Sequence, residues 1–166
     1  MRADYDRTLA ALALAELTAV GVPYESPQFD THDLYDLLVA SLAAIDESED
    51  WKPALVWAEA KLMEAEGVHP EWTSCAVSGV ALAENPAWVS PTAGGHVAGE
   101  GAFDFGDRFL ATAEALIALK KVVELESPPK SLKMADECLK VLFAFWRHAL
   151  ENRLPANETL VQGLSA

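Results

Sequence analysis

Residues 31–45, THDLYDLLVASLAAI, decide how the rest of the chain is read. Leu34, Leu37, Leu38, Ser41, Leu42 and Ile45 recur at i, i+3, i+4, i+7, i+8 and i+11, which lays one apolar stripe with a single polar member along a helix. Asp30 or Thr31 can cap that helix, and Asp33 sits in its first turn, where a carboxylate meets the positive end of the helix dipole.

The same periodicity extends outward in both directions. Upstream, an Ala- and Leu-rich run from about Asp4 to Val20 predicts a first helix that stops at Gly21-Val22-Pro23. Downstream, Pro53 suits a first helical position, and Leu55, Ala58, Leu62 and Ala65 mark the inner face of a third helix ending at Gly67. Trp72, Ala76, Gly79, Val80 and Ala83 make a weaker helical stripe over residues 70–84, diluted by Ser74, Ser78 and Gly79.

Two further helices close the chain. One is expected over about 107–126, with Phe109, Ala113, Leu116, Ile117 and Val123 inward. The other is expected over 131–153, with Leu132, Ala135, Leu139, Leu142, Trp146 and Leu150 inward. Ser127-Pro128-Pro129 breaks them apart and suggests a C-terminal antiparallel helical hairpin. Phe145, Val141 and Cys138 make a second stripe on the last helix, for contact with the first helix or with a second copy in a homodimer.

Residues 85–106 interrupt this pattern with Pro86, Pro91 and five of the nine glycines. A structureless loop of that length is uncommon in a compact domain, so the segment is functional, a mobile lid, or a short hairpin. The expected fold is therefore all-α: residues 1–166 as one domain of five or six helices with a Gly/Pro-rich connection at about 85–106. Its 29 Ala and 22 Leu fit packed helices.

Charge bounds the function. With 26 Asp and Glu against 12 Lys and Arg, the net charge of −14 has the wrong sign for clamping a phosphate backbone. Residues 8–107 hold 17 acids and two bases, whereas residues 108–166 hold seven acids and eight bases, so the excess lies in the first two thirds. Cys75 and Cys138 are too few for a cysteine zinc site and read as buried free thiols of a reducing compartment. The first apolar run lacks a basic leader and contains Glu16, so no signal peptide or membrane span is expected, and a cytoplasmic location is the default.

Chemical signatures are sparse. Neither GxxxxGK[ST] nor GxGxxG occurs, and Ser78-Gly79 sits in no GxSxG elbow. The Glu-x-x-His of di-iron bundles appears once, at Glu66 and His69, across a helix stop. No cofactor is implied. His96, Glu100, Asp104 and Asp107 fall within twelve residues and are candidate ligands for a divalent cation, although Asp104 or Asp107 also suits a helix N-cap. His32 and Asp36 share a face four residues apart.

Asp46, Glu47, Glu49 and Asp50 precede Trp51, an arrangement in which an aromatic anchor enters a partner pocket while carboxylates meet Lys or Arg at the rim. Asp30, Asp33 and Asp36 add charge nearby in sequence. The resulting expectation is a non-enzymatic acidic interaction protein. It would bind a basic protein surface and inhibit a nucleic-acid-binding protein by charge mimicry, with no direct nucleic-acid or membrane contact. The alternative is a small metal- or ligand-binding enzyme that uses the Gly-rich loop 94–107.

Overall fold

The computed structural model describes residues 2–21, 30–151 and 153–164. The central element is α3 (Lys52–Ala65), buried on nearly every side, with α1 (Arg2–Gly21), α2 (Thr31–Glu47), α4 (Ala113–Val123) and α5 (Ala135–Leu150) packed around it. Lys52, Lys61 and the exposed Glu64 apart, its residues are buried, as in a helix that lies inside its neighbours. α6 (Pro155–Leu164) closes the bundle against α1 and α5.

Local chemistry explains most of these elements. Asp30 caps α2 by accepting from the His32 N–H at 3.1 Å. Ser41, the polar member of the α2 stripe, is buried and satisfied by donating to the Leu37 carbonyl at 2.6 Å. The helix stop expected at Gly21-Val22-Pro23 lies beyond Gly21 outside the described residues.

The all-α expectation is corrected by residues 71–111, which form no α-helix. β1 (Ala87–Ser90) pairs antiparallel with both β2 (Gly95–Val97) and β3 (Phe109–Ala111), giving the order β2-β1-β3. A 3₁₀ helix spans Gly99–Asp104. The segment 70–84 holds turns and two isolated bridges, Glu71 with Gly95 and Ser74 with Ala81. Three or four residues per strand are too few for alternation to rise above the glycines and prolines between them.

The sheet has two distinct faces. Ala87, Val89 and Ala111 turn inward and join the main helical core, while Trp88 and its cross-strand neighbours Val97 and Leu110 share the other face. Under that outer face lies a small second core of Cys75, Val97 and Ala102.

The expected antiparallel hairpin is also corrected. Both the backbone N–H and the hydroxyl of Thr112, the N-cap of α4, donate to the Glu137 carboxylate at 2.7 Å, and the Cys138 thiol points to the Ala115 carbonyl at 3.6 Å. α4 and α5 are thus tied at their starting ends. Residues 124–134 run back along the length of α4 instead of making a tight turn, and Met134 enters α5 through a left-handed conformation, φ 60°. Cys138, Val141 and Phe145 are buried within the chain, with Phe145 edge-on to Trp72 at 4.9 Å.

Candidate functional site

The outer sheet face carries the most distinctive exposed chemistry. The Arg108 guanidinium lies 5.3 Å from the Trp88 ring centre and 4.9 Å from that of Phe103, and the two rings are 6.1 Å apart. One Nη of Arg108 donates to the Phe105 carbonyl at 2.9 Å, while its buried Nε–H finds no acceptor among the described residues. Phe103 is 61% exposed, and Leu110, opposite Trp88 in the strand register, is 51% exposed.

Three pieces of sequence hold this cluster together. β1 supplies Trp88 at its outward position, the 3₁₀ helix lifts Phe103 beside it, and the turn into β3 delivers Arg108. The turn is fastened by Asp107, whose carboxylate accepts from Ser90 Oγ at 2.5 Å and from the Thr92 N–H and hydroxyl at 2.8 Å. Burial pushes the Asp107 carboxyl up, but these hydrogen bonds outweigh it and hold the pKa below the ordinary carboxylate value. Leu110 leads into a groove of about 840 Å³ beside α5, lined also by Leu132, Met134, Lys140 and Val141.

Behind the cluster, Cys75 Sγ accepts the Ala98 N–H at 3.3 Å and the Ser78 N–H at 3.4 Å. Burial raises its pKa, yet these bonds prevail and bring it down to about 7. Cys138 goes the other way: burial, then the neighbouring Glu137 charge, push it up to about 12.

The cation candidates do not converge. His96 is fully buried on the inner side opposite Val89, and its Nδ1–H donates to the Trp88 carbonyl at 3.0 Å. Glu100 and Asp104 are exposed on the 3₁₀ helix, and Asp107 is occupied as described. Among the described residues no three His, Cys, Asp or Glu side chains are placed to hold a metal ion.

The acidic candidates divide into two groups. Asp30, Asp33 and Asp36 are exposed at the start of α2, where His32 Nδ1 and Asp36 lie 3.1 Å apart. Asp46, Glu47, Glu49 and Asp50 are exposed at its far end, so the helix separates the groups by roughly 20 Å at 1.5 Å per residue. Trp51 is only 8% exposed and packs into the core, so it presents no anchor to a partner. Asp50 instead accepts the Lys52 N–H at 3.1 Å, next to Trp51 at the start of α3.

Sequence reasoning missed Trp88, Phe103 and Arg108 because the three are brought together only by strand pairing. The available signal was two aromatics, Trp88 and Phe103, ahead of Arg108 in a segment too Gly-rich for a helix.

Comparison with known proteins identifies the kin of this architecture. Residues 2–158 match the family model described as recombination protein O C terminal. The chain belongs to the RecO C-terminal family. Its relatives include the DNA repair protein RecO of Anaeromyxobacter dehalogenans (strain 2CP-C), 31% identical over 166 residues. That match covers 96% of this chain but 64% of the relative, so the chain spans a little under two thirds of that protein's length.

Family membership overturns the sequence-based function. A recombination and repair family replaces the acidic inhibitor and nucleic-acid mimic, and with it the basic protein surface as partner and the exclusion of nucleic acid. The net of −14 averages over segments of different character, residues 8–107 being strongly acidic and residues 108–166 nearly balanced. No described helix is long and apolar enough to cross a membrane.

Proposed function

We propose that this RecO-family chain works in recombinational DNA repair and contacts nucleic acid directly, inside the cytoplasm. The observation that carries the reading is the family match over residues 2–158. The charge distribution supports it: residues 108–166, with eight bases and seven acids, can approach a phosphate backbone that the acidic α2 region repels. Two free thiols, Cys75 and Cys138, suit a reducing compartment.

The test is fluorescence anisotropy of a labelled DNA oligonucleotide titrated with the chain at several salt concentrations. Binding that weakens linearly in log–log form with rising salt supports the reading. Absence of binding to single strands and duplexes at low salt overturns it.

A further inference from the structure

We infer that Trp88, Phe103 and Arg108 form a platform on which unpaired bases of a nucleic-acid strand stack, with the strand running on over Leu110 into the groove beside α5. This inference rests on the proposed nucleic-acid contact and names its place and form.

An exposed aromatic ring offers every nucleobase a π face without demanding a sequence, and a guanidinium close to such rings adds cation–π attraction for a base that joins them. Here Arg108 lies over both Trp88 and Phe103, which are themselves 6.1 Å apart, and Phe103 leaves most of its surface in solvent. Paired bases bury their faces inside a duplex, so only an unpaired base can use such a platform.

The surface on either side of the platform sets the direction of the strand. Glu100 and Asp104 lie on the 3₁₀ helix at the Phe103 side and repel phosphates there. On the other side Leu110 opens into the groove that carries Lys140 and Lys52 together with Asp50, Asp136 and Glu137. Lys52 is held by Asp136 at 2.7 Å and Glu137 is taken up by Thr112, so Lys140 is the groove cation left for a phosphate, with Asp50 as the opposing carboxylate. Leu132 and Met134, the latter 40% exposed, give the following base or sugar an apolar surface to cover.

Another feature makes the platform readable. Trp51, Trp57, Trp72 and Trp146 are buried, so Trp88 is the tryptophan whose emission a stacked base would quench.

The experiment titrates wild type, Phe103→Ala, Arg108→Lys and Trp88→Phe with a 20-nucleotide oligothymidylate and with a duplex of equal length. Anisotropy and tryptophan emission are followed together, and the melting temperature of each variant is checked. The expected result is quenching in the wild type that Trp88→Phe abolishes. Phe103→Ala and Arg108→Lys, the latter keeping the charge, should each weaken single-strand binding about fivefold to tenfold and leave duplex binding unchanged. Single-strand binding at wild-type affinity by both variants, without quenching, would overturn the platform and leave nucleic-acid contact standing. A wild type that binds neither oligonucleotide overturns both.

Discussion

Gly95 and Glu71 lie so close that a Cβ atom at position 95 would stand 2.3 Å from the Glu71 carbonyl oxygen. The approach is fixed by a pair of hydrogen bonds, from the His96 N–H to the Glu71 carbonyl at 2.7 Å and from the Glu71 N–H to the Gly94 carbonyl at 2.9 Å. Gly95 also holds φ +147°, which side-chain-bearing residues rarely adopt. Gly95→Ala should therefore destabilise the protein by roughly 2–4 kcal/mol. Thermal unfolding measures this, and a loss under about 0.5 kcal/mol, the range of a neutral surface change, would refute the packing described.

Glu16 acts as a remote cap for α6. Its carboxylate accepts the Ala156 and Asn157 N–H groups at 3.1 Å and the Asn157 amide at 2.8 Å, while that amide also reaches the Ala13 carbonyl at 3.0 Å. Helix N-termini leave their first N–H groups unsatisfied, and a carboxylate there also meets the dipole. Glu16→Ala should cost about 1–2 kcal/mol and loosen α6 before the rest of the bundle. Amide exchange of residues 158–164 checks the second part: rates unchanged from wild type would count against it.

Glu59 is buried in α3, and burial alone raises its pKa from 4.5 to about 8. Unfolded, this carboxyl ionises near pH 4.5, whereas the folded chain keeps the proton up to about 8. The folded state therefore binds more protons in between, and this group's contribution to stability falls as pH rises through that window. Melting temperature should decline from pH 5 to pH 8 in the wild type, and Glu59→Gln should flatten the decline. Parallel pH curves for the two proteins would exclude Glu59 as its source.

The two thiols should behave oppositely. Cys75, near pKa 7 and 4% exposed at the small second core, should alkylate with iodoacetamide in the folded protein, its rate rising through neutral pH. Cys138, fully buried with its pKa raised to about 12, should react only on unfolding. Mass mapping of the modified residue after brief labelling at pH 7.5 distinguishes them, and equal labelling of both contradicts the assignment.

The helices were legible because their signals are local. The α2 stripe, its Asp30 cap and the Pro53 start depend on neighbours within a few turns, and the structure carries the cap, the start and the stripe except for Leu42, which is 42% exposed. The sheet was not legible, since Trp88 meets Leu110 and Val97 only through pairing across a 3₁₀ helix and two turns. Ser127-Pro128-Pro129 correctly ended α4, but the direction of α5 was decided by Thr112 and Glu137, which no local pattern connects. The site failed for a related reason. Acidic runs stand out in a sequence whether or not they converge, and here α2 holds them apart. Trp51, read as an anchor, is consumed by the core.

Amide hydrogen exchange with and without a saturating single-stranded oligonucleotide tests the central claim most directly, because it reports where on the molecule nucleic acid sits. Protection confined to residues 87–111, the facing end of α5 and Asp50 at the groove edge, with α2 unchanged, is the predicted result. Protection on α2 and residues 46–50 instead, with the sheet unaffected, would contradict the account.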